Sequence, residues 1–248
     1  MGCGSGCGTE NNIKECQDLS GWNGLSLQEL QHRLDGQTQD EVRVYTVATT
    51  RLDKVSDAVC HMGSGPNLEG GLVTLCTCKH SMRQYHATKD WKGKWILGLT
   101  SRAIGKGFHG EHYLLYMMRV AEAFGSHREL YDYLASTNRH ALDIKNAVEN
   151  PLGDVFEPKR SCGDPLNPEM YKKPHASHSH GANGDTQWHE DIIYKGKSAP
   201  LLLGDVGNTF VWPQPMIIFG KKRNSGNMKL TLGKDAFSFL EARDGFGQ

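Results

Sequence analysis

The sequence predicts an α+β fold, a curved mixed β-barrel with peripheral helices. Three observations carry this. Roughly seven or more short segments are alternating or continuously apolar and are bounded by Gly, Pro, Asn and Asp. Helical periodicity is confined to short stretches near both ends and after the fourth strand. Helical crossovers are therefore too few for a doubly wound parallel sheet.

Residues 1–41 are expected to be a flexible N-terminal extension with a short helix, and residues 42–248 a single domain. Up to about Gly24 the chain is rich in Gly, Asn and Ser, and little fixed structure is expected. Ser26-Leu-Gln-Glu29 then matches a capping box. Leu27, Leu30 and Leu34 follow at helical spacing, and Asp35-Gly36 supplies a stop.

Val42 to Ala48 alternates and is β-branched, which marks the first strand. Arg51 to Gly71 reads as a long polar connection. Leu72 to Cys78 is the second strand and Lys94 to Thr100 the third. Gly105 to Gly110 is a turn, and Tyr113 to Ala123 a long fourth strand. Ser126-His-Arg-Glu129 is a second capping box, opening a helix with Leu130, Tyr131 and Leu134 on one face.

Thr137 to Tyr171 is punctuated by Pro and Gly and is expected to be irregular, with a helical piece near Leu142 to Val148. His175 to Asp191 is polar and His-rich. Short strands follow at Ile192–Tyr194, Ala199–Leu203, Thr209–Trp212 and Met216–Phe219, with a turn at Asp205-Val-Gly-Asn208. Pro213 and Pro215 point to a sheet edge. Asp235 to Ala242 is expected to be a closing helix.

Composition narrows the function classes. Lys plus Arg and Asp plus Glu are each 28, so the formal charge is zero. Long non-specific contact with a nucleic-acid duplex calls for a basic excess, so it is not expected. No apolar run reaches membrane-spanning length. The Gly-rich start lacks the apolar core of a secretory signal, and Gly6 stands where a myristoylation pattern requires Ser or Thr. A cytoplasmic location is expected. The seven cysteines are irregularly spaced and are read as reduced thiols.

Chemistry concentrates in two places. In Leu72-Val-Thr-Leu-Cys-Thr-Cys-Lys79, Cys76 and Cys78 share one strand face. They read either as small buried hydrophobes or as reactive thiols activated by Lys79, His80 and Arg83. Lys79, Arg83 and Arg102 form a candidate anion site, or else ordinary surface charge. In the second region, His175, His178, His180, Asp185, His189, Glu190 and Asp191 read as a titrating polar loop or a metal-like cluster. The spacing matches no named zinc pattern, so no metal is assigned. His175, His178 and Asp185 would be the ligands if one were present.

Trp188 is the aromatic best placed to stack on a base, because it lies in a polar segment. Gly105-Lys-Gly-Phe-His-Gly110 lacks phosphate-loop spacing, and no dinucleotide or nucleophile-elbow motif occurs. No cofactor is expected.

Several segments share their order with one family. They are Val42-Arg-Val-Tyr-Thr-Val, Cys76-Thr-Cys-Lys79, Lys94-Trp-Ile-Leu-Gly-Leu-Thr-Ser101, Leu114 to Glu122, the Asn183-Gly-Asp185 element and the strand Met216 to Gly220. Over about Val42 to Gly220 the chain resembles the second family of nucleotide-modification-associated domains. That resemblance implies a role around modified nucleobases, without fixing a reaction. The pattern of the fourth strand followed by a helix also resembles pseudouridine-synthase-associated (PUA-like) barrels, which hold a flipped base in a cleft.

Two functions follow as expectations. One is a recognition module that admits a nucleotide or a flipped modified base, with Lys79, Arg83 and Arg102 on the phosphate and Asn183, Asp185 and Trp188 around the base. The alternative is a nucleotide-modifying enzyme with Cys78 as nucleophile and Asp185 or His175 as acid–base partner, or with a His/Asp metal site. A third possibility, a structural or regulatory partner in a phage or bacterial defence operon, predicts no polar pocket.

Overall fold

The computed structural model describes residues 16–37, 39–53, 56–105, 108, 110–160, 163–176, 178, 187–220 and 228–243. Within them the chain forms an α+β fold around a curled, mixed sheet of eight strands. The strands are β1 (Glu41–Val47), β4 (Thr74–Leu75), β5 (Trp95–Thr100), β6 (His112–Phe124), β7 (Leu201–Val211), β8 (Ile217–Phe219), β9 (Met228–Thr231) and β10 (Leu240–Ala242). A separate hairpin, β2 (Thr50–Leu52) with β3 (Val59–His61), occupies the segment read as a polar connection.

β1 and β5 are parallel, from Val42 opposite Trp95 to Val47 opposite Thr100. The other pairs in the sheet are antiparallel. β6 carries β5 along one side. Along its other side, His112 and Tyr113 pair with β8, while Tyr116 to Phe124 pair with β7. One long strand thus splits the sheet into two arms, which lets it curl.

Both faces of the sheet are buried, which explains the nearly continuous apolar strands. Alternation sends Val42, Val44, Trp95 and Leu97 to one face, where Leu30 and Leu34 of α1 (Leu27–Arg33) and Trp212 cover them. Tyr45, Val47, Ile96, Tyr116 and Met118 point to the other face, beneath Leu68, Val73, Met82 and Trp91. Gly98 lies on that second face under the ring of Tyr116. A Cβ built there would fall 2.1 Å from a Tyr116 ring carbon, so only glycine fits.

Both capping boxes form helix starts. Ser26 accepts from the Glu29 amide and Glu29 reaches back to the Ser26 amide. Ser126 caps α3 (His127–Thr137) by accepting from the Glu129 amide. α3 and α4 (Arg139–Lys145) bury Leu130, Leu134, Ala141 and Leu142 against Cys76 and Leu201.

Other expectations change. Residues 16–24 are pinned to the domain rather than loose. The Gln17 side chain donates to Gly63 O and Pro66 O and accepts from the Leu68 amide, and Leu19 is buried. This stitching sets Cys16 opposite Cys60, and the two form a disulfide with Cα atoms 5.2 Å apart, so the reading of reduced thiols does not hold for this pair. Cys76 and Cys78 are free.

The predicted turn at Asp205–Asn208 is a bulge inside one strand. Asp205 accepts from the Gly207 amide and the Asn208 side chain, and the β6 register shifts there. The predicted closing helix is a single 3₁₀ turn, Phe237–Phe239, followed by β10. The predicted strand at Ile192–Tyr194 does not form: Ile192 ends a short helix, α5 (His189–Ile192), and Tyr194 makes an isolated bridge to Lys197. No helix of the described residues is long and apolar enough to cross a membrane.

Candidate functional site

The turn after β4 and the late histidine segment come together. α2 (His80–Arg83) begins at Lys79, whose backbone is left-handed with φ 57° and ψ 37°. A non-glycine residue held there is strained by about 1–3 kcal/mol, a feature that clusters at functional turns.

His80 points at α5. Its Nε2 lies 3.0 Å from Asp191 Oδ1, and its ring stacks on Tyr194 with centroids 4.8 Å apart. His178 approaches the same carboxylate from the other side, with Nε2 3.5 Å from Asp191 Oδ2. His127, at the start of α3, completes the group. One of its ring nitrogens lies 3.3 Å from Asp191 O, and the other accepts from the Phe156 amide. An amide can only donate, so Nδ1 is the acceptor and Nε2 carries the proton. Burial pulls the His127 imidazole down to about 3.

Beneath this knot, Tyr45 and Tyr116 share a hydrogen bond through their hydroxyls, and the Lys79 ammonium sits 5.2 Å from the Tyr45 ring centroid. Among the described residues no carboxylate lies within ion-pair distance of Lys79. Beside it, Ser64 Oγ and Thr77 Oγ1 are 3.2 Å apart, and Gly65 packs so closely that a Cβ would meet Thr77 Oγ1 at 2.5 Å.

The structure sorts the predicted site residues into distinct roles. Arg83 is fully buried and does not face a phosphate. Nε donates to Cys78 O, Nη1 to Ala199 O and Pro200 O, and Nη2 to Cys76 O. The reason is geometric: its planar fork matches carbonyls converging from two loops, so it clamps the β4–α2 turn to the start of β7. Cys78 is the second correction. Burial pushes its thiol up to about 12, against the opposing pull of Arg83 and Lys79, so it is not an activated thiolate. Cys76 is fully buried and its thiol is pushed well up as well.

Arg102 lies elsewhere, after the end of β5. It exchanges hydrogen bonds with Gly110, and among the described residues no hydrogen bond or ion pair joins it to Lys79, Arg83 or the histidine segment. His175 is held by its backbone, donating to Ala147 O and accepting from the His178 amide. Among the described residues no hydrogen bond joins it to Cys78. Asn183, Asp185 and His180 lie outside the described residues. Among the described residues, no three His, Cys, Asp or Glu side chains are grouped to hold a metal ion.

Trp188 stands at a concave surface. It precedes α5, and its ring packs against Phe156 and His189 with centroids 5.5 Å and 4.4 Å away. Trp188 is about 9 % exposed and belongs to a buried cluster with Ala147, Phe156, Tyr171 and Ile192, and it borders a depression of about 230 Å³ shared with His189, Lys159, Lys173, Tyr171 and Glu169. That volume lies below the roughly 300–1,000 Å³ of pockets for drug-sized ligands. Asp191 follows Trp188 by one turn and donates its amide to Trp188 O, so α5 joins the buried knot to this depression.

Sequence reasoning missed His127, Tyr45, Asp154 and Lys145 as members of the buried polar interior. Tyr45 and His127 follow ordinary strand and capping patterns. The only signal at Lys145 and Asp154 was charge inside a stretch otherwise read as irregular surface. Compared with known protein families, with curated proteins and with solved structures, the chain matches none.

Proposed function

We propose that the chain is a recognition module for a nucleotide or a single flipped, modified base, bound at the Trp188 depression. The observation that carries this is the concave surface itself. It puts the small exposed part of the Trp188 indole and the His189 imidazole beside two lysines, Lys159 and Lys173. Stacking on such a ring contributes roughly 1–3 kcal/mol per base, and ammonium groups suit a phosphate as point charges. The depression is too small for a duplex, in keeping with the zero net charge.

The resemblance to nucleotide-modification-associated domains points to a modified base as the ligand, and the curled sheet is compatible with PUA-like barrels. Recognition is favoured over catalysis because the proposed nucleophile, Cys78, holds its proton up to about 12. A cytoplasmic, base-modification or defence setting belongs to the same proposal.

The test is mass spectrometry of small molecules released from the native full-length protein, followed by titration of the emptied protein with nucleotides. Saturable binding that falls at least tenfold in Trp188→Ala and in Lys159→Ala/Lys173→Ala supports the reading. Binding unaffected by either change, or no binding to any nucleotide or nucleoside, overturns it.

A further inference from the structure

We propose that Lys145 and Asn67 are a modification site, at which their side chains join in an intramolecular isopeptide bond with release of ammonia. Both residues are fully buried, and Lys145 Nζ lies 2.9 Å from Asn67 Oδ1. Lys145 ends α4, whereas Asn67 lies in the loop before β4 and bridges Thr74 through both backbone groups. The bond would therefore staple α4 to the edge of the sheet.

The surroundings suit amide exchange. The Glu69 amide donates to Asn67 Oδ1 at 3.1 Å, which polarises the carbonyl and would hold an oxyanion. Asn67 Nδ2 donates to Leu152 O, which fixes the plane of the amide. The Lys145 ammonium has only carbonyl oxygens as partners, Asn67 O, Asn67 Oδ1 and Glu69 O, and no carboxylate within ion-pair distance among the described residues. Burial pulls it down to about 8. Roughly a tenth is then neutral amine near pH 7, against well under a thousandth for an exposed lysine.

An acid stands alongside. Asp154 is fully buried, and its Oδ1 accepts from Thr74 Oγ1, the residue that pairs with Asn67. Among the described residues its Oδ2 has no nitrogen or oxygen donor, and the carboxyl interacts with the Cys76 thiol. Burial raises the Asp154 carboxyl, so a proton is more easily kept there than on an exposed aspartate.

The step balances without oxidant or co-reactant. The neutral Nζ lone pair adds to Asn67 Cγ, and the carbonyl electrons move onto Oδ1. A proton passes from Nζ to Nδ2 within the tetrahedral adduct, in the field of the buried Asp154 carboxyl, whose charge acts on Lys145 from beyond ion-pair distance. The Cγ–Nδ2 bond then breaks, the carbonyl re-forms and ammonia departs. One C–N bond is made and one is lost.

The experiment is intact mass measurement of the reduced full-length protein, then sequencing of its digest by fragmentation. The expected result is a mass lighter than the sequence by one ammonia, together with a branched peptide joining residues 67 and 145. Asn67→Asp is expected to reach the same linked mass by losing water instead. Lys145→Met keeps the full sequence mass, and Asp154→Asn slows the loss at least tenfold. Wild-type protein that retains its full mass after prolonged incubation at pH 8 overturns the proposal. So does a loss of ammonia that persists in Lys145→Met, which marks a succinimide elsewhere. The digest of the wild type decides the matter even where a variant fails to fold.

Discussion

The hydroxyls of Tyr45 and Tyr116 meet at 2.6 Å inside the core, and each is the other's hydrogen-bond partner. The pair sits between parallel β1 and the long β6, under the turn that carries Cys78 and Lys79. Deleting one hydroxyl leaves the other buried and unsatisfied, whereas deleting both removes the demand altogether. Tyr45→Phe and Tyr116→Phe are each expected to cost about 1–3 kcal/mol, and the double variant less than the sum. Denaturant unfolding of the three proteins checks this. Strict additivity would show that the two hydroxyls do not depend on one another.

Arg83 and Lys79 are neighbouring cations with opposite fates. Arg83→Met leaves the carbonyls of Cys76, Cys78, Ala199 and Pro200 without their donor, so a loss above about 3 kcal/mol is expected. Lys79→Met removes a partly exposed ammonium with no carboxylate partner among the described residues, and is expected to cost less than about 1 kcal/mol. Unfolding midpoints of the two variants should therefore separate clearly. Equal losses would contradict the assignment of Arg83 as the clamp.

Acid should weaken the fold before most carboxylates titrate. Burial holds His127 at about 3 and His61 at about 4, both below the ordinary imidazole value of 6.5. In the unfolded chain both bind protons from about pH 6.5 downward, while in the native state they stay neutral. The unfolded state then binds more protons, so stability is full above pH 6.5. It falls as the pH drops toward 4 for His61 and toward 3 for His127. Glu41 extends the loss at the acid end. Burial raises its carboxyl, but His86, Arg43 and Lys229 outweigh that and hold it at about 2, below 4.5. Its contribution is lost between pH 4.5 and about 2. Unfolding free energy measured from pH 8 to pH 3 should decline below 6.5, and His127→Gln should flatten part of that slope.

Gly98→Ala tests how tightly β5 and β6 mesh. The new methyl would need the Tyr116 ring to move, and with it the hydroxyl contact to Tyr45. A loss above about 2 kcal/mol is expected from overpacking. In the Tyr116→Leu background the same change should cost much less, because the obstructing ring is gone.

The sequence was legible where a local signal and the tertiary demand agreed. Ser26 with Glu29 and Ser126 with Glu129 mark helix starts that form, and the long apolar run ahead of Gly125 is the long β6. Legibility failed where long-range bonds decide the structure. Nothing local tells that Gln17 will hydrogen-bond to Gly63, Pro66 and Leu68, so the start of the chain looked loose. Asp235 to Ala242 reads as a closing helix, yet Leu240 and Ala242 extend a sheet because Phe219 and Ile217 offer a partner strand. At the candidate site, nothing in the sequence announced that His80 and His178 would meet at the buried Asp191 carboxylate. The conversion of Arg83 from an anion ligand to a carbonyl clamp was not legible either, because residue type does not reveal which acceptors will surround a guanidinium.

β6 has a consequence for how the chain assembles. Its partner β5 lies upstream, across eleven intervening residues. Its other neighbours, β7 and β8, follow only after α3, α4 and the whole His-rich segment. Until they are synthesised, one flank of a long apolar strand has no backbone partner, and such a flank readily recruits other chains. Nascent protein cut short before Leu201 should therefore depend on chaperones and self-associate, while chains extended past Phe219 should not.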